Sequence, residues 1–476
     1  MIDPRGTALL ALSGLAGLAG LTACGGDDGG APPDAALPTW RRDLPPSSVM
    51  GDRRGLTPAR GIIHLHSPYS HDACDGRPRP GGAVDEDCLA DLRAALCTTR
   101  MDFAALTDHD DSMAGEPFEE LFVRRGGDQL VLGSGGAPIA SRLACPDGPG
   151  PLVTVGGENP LMPIMLDRHV AGTIEERRDL YNGRDAASVA AFRDAGALVW
   201  VPHTEGWTTP ELAAVAPDGI EIYQLHANID PDIRAERLGL PAAGAIQAVV
   251  EFADTNPTGP EPDLALLSFL LPNTPSLARW DELLAMGLRV TGSGGTDAHQ
   301  NALPITLRDG ERGDSYRRML RWFANTVLVA DRTDPVQIED AIRAGRMYLA
   351  FEMMGTPVGF DVRATAGASV TELGGEVAAT AGATLEVSVP TIFELPASLP
   401  APAIRARVVR VTAGGATEVA AGPGPIVTAP LDTAGAYRVE VLIRPHHLGP
   451  YLGHLGTAHA DAEHPWIYAS PIYVTP

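Results

Sequence analysis

GIIHLHS, residues 61–67, is an apolar run that delivers two histidines at its C-terminal end. Five further runs repeat that design. FAALTDHD (103–110), LVTVGGEN (152–159), ALVWVPHT (197–204), GIEIYQLH (219–226) and GLRVTGSGGTDAH (287–299) each pass from apolar residues into His, Asp or Glu. Between several of them lie CLADLRAAL (88–96), DAASVAAFRDAG (185–196) and LARWDELLAMG (277–287), whose apolar residues recur at three- and four-residue spacing and predict helices. Strands alternating with helices predict an α/β fold with a parallel sheet or barrel. In such a fold the C-terminal ends of the strands converge, so side chains distant in sequence meet in one cup.

The metal argument starts at His64 and His66. In a strand, residues two apart face the same side, so the two imidazoles can share a cation. Taken alone the pattern is weak, since 13 histidines in 476 residues give about one third of an HxH by chance. Its weight comes from its company: Asp72 shortly after, Asp108-His109 on the next strand end, then Glu158, His203 and Asp297-Ala298-His299. Imidazole together with carboxylate suits zinc, manganese or iron, and a carboxylate can bridge two cations where an imidazole cannot. Asp108 and Asp110 are expected to orient imidazoles, and Thr204, Glu205 and Tyr223 to line the cup. His226, alone after its strand, reads first as a structural partner. No GxSxG elbow and no GxxxxGK[ST] loop occurs, so serine acyl chemistry and nucleotide switching lack their usual marks.

In chain order, HLHSPYSHD (64–72), LTDHD (106–110), GGEN (156–159), VPHT (201–204) and GSGGTDAH (292–299) together resemble the motifs of the polymerase and histidinol phosphatase (PHP) superfamily of metal-dependent hydrolases. The segment DPVQIEDAIRAGRMYLAF (334–351) resembles the helix and strand after that family's last metal motif. Within the superfamily the chain is most similar to the exported CehA/McbA-like subgroup. The resemblance implies a distorted (β/α)7 barrel over 59–356 holding two or three divalent ions (Zn, Mn or Fe), followed by a small antiparallel β-sandwich over 357–476. It implies one ion at His64, His66, Glu158 and Asp297, a second bridged by Glu158 and held by His169 and His203, and a third at Asp72, His109 and His299. His71 falls in the same ligand window as Asp72. The implied activity is hydrolysis by a metal-activated water, foremost of a phosphoester, with Glu158, His203 and Asp297 in catalytic roles. A carboxyl ester, carbamate or amide hydrolase with the same cup is the alternative bond class. A lipid-anchored protein that binds a metal or ligand without turning it over is the alternative of a different kind.

Composition narrows the partners. Sixty acidic residues against 36 basic ones give a formal charge of −24, which opposes binding to nucleic acid or to an anionic membrane surface and leaves a small molecule as the expected partner. Residues 8–23, ALLALSGLAGLAGLTA, are too short and Gly-rich for a spanning helix and read as an export signal over 1–23. Leu21-Thr22-Ala23-Cys24 resembles the bacterial lipobox, which predicts a lipid on Cys24, attachment to the cell envelope, and a flexible tether over 24–58. Cys74, Cys88, Cys97 and Cys145 then remain, and an even number in an oxidising compartment suggests two disulfides. Of the three connectivities, Cys74–Cys88 with Cys97–Cys145 is favoured. Beyond Pro357, TLEVSVP (384–390), RARVVRVTA (405–413), YRVEVLI (437–443) and WIYASPIYVT (466–475) alternate strictly and predict antiparallel strands. The histidines between 446 and 464 are expected in a loop packed near the barrel mouth.

Overall fold

A computed structural model describes residues 37–476. The export signal, Cys24 and the first part of the tether lie outside the described residues.

The apolar runs form short strands whose side chains are buried on both faces, as expected where helices and a neighbouring sheet cover a parallel sheet. β1 (Thr57–Ile62) runs parallel to β2 (Phe103–Leu106), and β2 parallel to β5 (Gly148–Val155). The Gly-rich stretch after residue 111 supplies β3 (Gln129–Leu132) and β4 (Pro138–Cys145), which extend this sheet as an antiparallel meander beside β5. A second sheet holds β6 (Met162–Ile164), β7 (Leu198–Val201), β8 (Gly219–Gln224) and β9 (Thr291–Gly295), parallel from β7 onward. Isolated bridges join the two sheets at both edges, Val155 with Leu166 and Leu65 with Ala298. The C-terminal ends of β1, β2, β5, β7, β8 and β9 therefore face one region.

Helices cover the outside with the predicted periodicity. In Glu86–Thr98 the residues Cys88, Leu89, Leu92, Ala95 and Leu96 are buried, and the Asp85 carboxylate caps the N-terminus by accepting from the amides of Asp87 and Cys88. Pro335–Arg343 buries Ile338, Ala341 and Ile342 in the same way, and the segment then returns as β11 (Met347–Ala350). Each Leu or Ile buried there contributes roughly 1.5–3 kcal/mol.

The expected boundary at 356/357 is not a gap. β10 (Ala324–Val329) pairs antiparallel with β1, β11 with β10, and the final strand His464–Thr475 pairs with β11 in the register Leu349 to Tyr468. Gly435–Arg444, Ala403–Thr412 and Gly415–Gly422 continue the same sheet. A separate antiparallel sheet contains Ser369–Glu372, Asp361–Ala366, Thr384–Ser388 and Ile426–Pro430. The junction is also locked by a buried ion pair between Arg60 on β1 and Glu352, with Nη2 to Oε2 at 2.8 Å.

The tether assignment needs correction over 39–58. Leu44 and Met50 are buried, the Trp40 indole donates to Asp263 at 2.9 Å and lies under the Arg321 guanidinium, and β1 already begins at Thr57. Scattered Pro and Gly gave this stretch a linker-like composition, yet these apolar side chains, with the ion pairs of Arg53 and Arg54 to Asp361, dock it. Both disulfides have the favoured connectivity, Cys74–Cys88 and Cys97–Cys145.

Candidate metal centre

The strand ends carry the cup's histidines and carboxylates, and main-chain pairing sets them side by side. The His66 amide donates to the Ala298 carbonyl at 3.2 Å, and the Asp297 amide to the His64 carbonyl at 3.3 Å, so the HxH and DxH motifs lie alongside each other. His109 and Glu158 are joined by a parallel bridge, and the Glu158 amide donates to the Thr107 carbonyl at 3.0 Å. The buried Tyr316 hydroxyl adds a clamp, facing the carbonyls of His66 (3.0 Å) and His299 (3.3 Å).

Four groups meet at the bottom of the cup. His64 Nε2 lies 3.2 Å from His66 Nε2, 3.2 Å from Glu158 Oε2 and 3.4 Å from Asp297 Oδ1. His66 Nε2 lies 3.1 Å from Glu158 Oε2 and 3.2 Å from Asp297 Oδ1. Ligands about 2.0–2.2 Å from a tetrahedral ion are ~3.3 Å apart, so these edges match an ion-sized hole lined by two nitrogens and two oxygens. Asp297 Oδ1 and His299 Nε2 are buried and make no well-aligned hydrogen bond, a costly arrangement unless something else satisfies them. The donor set therefore fits a divalent cation.

A second group is built on the rim. His299 Nε2 is 3.0 Å and His109 Nε2 3.5 Å from Asp72 Oδ2, and the His66 and His299 rings stack at 3.8 Å. On the opposite side, Glu158 turns its other oxygen, Oε1, to His203 Nε2 at 3.1 Å, while Asp297 turns Oδ2 to His203 Nε2 at 3.4 Å and to His226 Nδ1 at 3.2 Å. Each of the two carboxylates thus offers one oxygen to the bottom group and one to this flank.

The ring orientations are held from behind. Glu221 Oε1 accepts from His64 Nδ1 at 2.6 Å, the Glu158 carbonyl from His109 Nδ1 at 2.8 Å, and the Asp297 carbonyl from His299 Nδ1 at 2.7 Å. Glu205 Oε1 faces His203 Nδ1 at 3.3 Å. Every one of these rings therefore turns Nε2 inward, the arrangement that metal-ligating histidines share. Gly295 makes the first of these contacts possible: its backbone is unstrained, but a Cβ there would lie 1.9 Å from Glu221 Oε1. His203 (φ 46°) and Asp297 (φ 49°) sit in left-handed backbone, which costs non-glycine residues stability and concentrates at functional sites.

The charges compensate one another. Burial alone would push the His64 imidazole down, but Glu158, Glu221 and Asp297 hold it well above the usual range. Burial alone would raise Glu158, yet the facing His64 and His203 hold it well below the carboxylate range. Asp297 is lowered in the same way, against its burial, by His299 and His64. His299 is pushed down by burial and by the adjacent His66, which favours its neutral, ligating form.

Of the predicted residues, His64, His66, Asp72, His109, Glu158, His203, Asp297 and His299 come together. His169 does not. Its Nε2 faces the Glu116 carbonyl at 2.9 Å and its Nδ1 the Tyr181 hydroxyl at 3.2 Å, so it pins its own turn against a neighbouring helix. His226, expected to be structural, stands in the cup instead. Asp108 orients no imidazole: it accepts the Ser67 amide at 2.6 Å and the Ser67 hydroxyl at 2.7 Å, fastening the loop after His66. Glu221 escaped sequence reading altogether, although a lone acid in a fully buried strand was a signal.

No family model matches the chain, and no curated protein matches it. Among solved structures, the chain is similar to a two-domain protein containing a predicted PHP-like metal-dependent phosphoesterase from Bacteroides vulgatus, at 12% identity and a TM-score of 0.33, over 90% of this chain and 98% of that one. It is also similar to PsfC from Pseudomonas syringae, at 15% identity and a TM-score of 0.30, over 57% of this chain and 82% of that one.

Proposed function

We propose that the chain is a metal-dependent hydrolase of the PHP superfamily, a distorted (β/α)7 barrel whose cup cleaves phosphoesters. The observation that carries this reading is the pair of buried carboxylates, Glu158 and Asp297, each shared between two groups of histidines. A carboxylate with an oxygen on each side is the group that can hold two cations close together. When bound, the ions would supply a lowered water pKa and a clamp on the attacking and leaving oxygens. The chain's own part is to place and orient. His64, His66, Glu158 and Asp297 form the inner position, and Asp72, His109 and His299 the rim position. His203, oriented through Nδ1 by Glu205, presents Nε2 to the cup between the two bridging carboxylates.

Phosphoesters are favoured because their oxygens can span two ions and in-line displacement needs no protein nucleophile. The same reading places the protein outside the cytoplasm, held by a lipid on Cys24. The lipobox-like Leu21-Thr22-Ala23-Cys24 supports this, and so do two disulfides among the four remaining cysteines.

Metal analysis of protein purified without added salts is the test, with His66→Ala and Asp297→Ala beside the native chain and turnover measured on p-nitrophenyl phosphate, bis-p-nitrophenyl phosphate and p-nitrophenyl acetate. The reading expects both variants to lose metal and phosphoester turnover together. Variants with full metal content would refute the ligand assignment. Cleavage of the acetate alone would move the activity to carboxyl esters, and full occupancy without turnover would make this a binding protein.

A further inference from the structure

The flank between β8 and β9 differs from what the PHP motifs led us to expect. The second ion was assigned to Glu158, His203 and His169, but His169 is spent on Glu116 and Tyr181. Its place beside His203 is taken by a residue that follows β8. His226 follows β8 on the helical turn Leu225–Ile229, and its ring crosses that of His203 at 75° with the centroids 5.7 Å apart. One nitrogen of His226, one nitrogen of His203 and one oxygen of Asp297 all lie within 4.8 Å of one another. The measured edges, 3.2 Å for His226 Nδ1 to Asp297 Oδ2 and 3.4 Å for His203 Nε2 to the same oxygen, repeat the ~3.3 Å spacing of ligands around a tetrahedral cation.

We infer that His226, through Nδ1, joins His203 and Asp297 as a ligand at the second ion position, and that this ion ties the segment following His226 to the cup. The inference rests on the hydrolase reading of the same centre. Two contacts shape the position from behind. The Gln224 side chain caps the turn by accepting the Ala227 amide, and its amide nitrogen borders both ligand atoms, 3.0 Å from Asp297 Oδ2 and 3.3 Å from His203 Nε2. Asp230, one turn after His226, lies 3.7 Å from its outer nitrogen Nε2 and at the same time caps the helix Pro231–Leu238 by accepting the amides of Asp232 and Ile233. A cation on Nδ1 is thus linked through one imidazole and one carboxylate to the start of that helix. The His226 side chain is also 47% exposed, against 0% for His64 and His66, so this position is the one from which an ion exchanges with solvent most readily.

The test uses the full mature chain loaded with Zn2+ or Mn2+, with His226→Ala, Asp230→Asn and, as a control outside the candidate metal groups, His446→Ala. Metal content after dialysis, affinity by chelator competition and amide hydrogen exchange over 226–238 are read. His226→Ala is expected to lose one ion per chain and to abolish the metal-dependent protection of 226–238. Asp230→Asn is expected to keep the ion but bind it roughly 10- to 100-fold more weakly, as loss of an orienting carboxylate does. His446→Ala should match the native chain. Because His226 is half exposed, its removal leaves the core intact, and unchanged circular dichroism confirms folding. Native metal content and affinity in His226→Ala overturn the inference while leaving the hydrolase reading standing. A native chain that takes up no ion at all sinks the hydrolase reading itself.

Discussion

Gly295→Ala isolates one contact behind the metal centre. The glycine has an ordinary backbone conformation, so alanine costs nothing in φ, and the effect comes from the added methyl alone. That methyl would sit 1.9 Å from Glu221 Oε1 and 2.4 Å from its Cδ, both far inside contact distance. Glu221 is fully buried on β8, so its carboxylate has little room and must give up a partner. The partners at risk are His64 Nδ1 at 2.6 Å and the His203 amide at 3.0 Å. Losing the carboxylate behind a ligating imidazole typically weakens metal binding 10- to 100-fold, about 1.4–2.7 kcal/mol. A displaced buried carboxylate adds roughly 1–3 kcal/mol of lost stability in the metal-free protein. Chelator competition measures the first and urea unfolding the second. The expected variant is folded, somewhat less stable, and at least tenfold weaker for metal. Native affinity in Gly295→Ala would show that Glu221 does not orient His64 and would remove the support claimed for the inner position.

Four further outcomes follow from the packing. Glu352→Gln leaves the Arg60 guanidinium buried without its counter-charge, and urea unfolding should register a loss of about 3–5 kcal/mol; a loss under 1 kcal/mol would show that the pair does not lock the junction. Reduction of Cys97–Cys145, which closes a separation of 48 residues, should cost about 4 kcal/mol by loop entropy. Cys74–Cys88 should cost about 3 kcal/mol and also loosen Asp72, since the Cys74 amide donates to the His299 carbonyl beside the rim group. His447, buried with Nε2 on the Met354 carbonyl, is pushed down by burial to about 4. Its contribution is therefore intact above the ordinary histidine value of ~6.5 and is lost as pH falls toward 4, about 3 kcal/mol in all. His447→Gln should flatten that part of the stability profile, and an unchanged profile would refute the assignment.

Which residues could carry chemistry was legible in the chain because a strand exposes its last residues at the sheet's C-terminal edge, where apolar burial no longer constrains them. HxH, DxH, Glu158, His109 and His203 were found that way, and Asp72 from its place just after HxH. The C-terminal strands were readable from their period of two. The surroundings of His169 and His226 were not legible because a histidine's role depends on what faces each nitrogen, and neither the Glu116 carbonyl nor Asp297 Oδ2 is near its partner in sequence. Glu221 was hidden for the same reason, since its meaning lies in His64, 157 positions away. The docked stretch 39–58 was missed because composition averages over residues, whereas docking depends on a few apolar anchors such as Leu44 and Met50. Local order, strand periodicity and most of the candidate ligands are thus properties of the chain itself. Pairing across strands, the choice between the nitrogens of a ring, and the side of the cup a carboxylate oxygen faces are decided only when distant segments pack, because hydrogen bonds and ion contacts act over about 3 Å in space with no regard to separation along the chain.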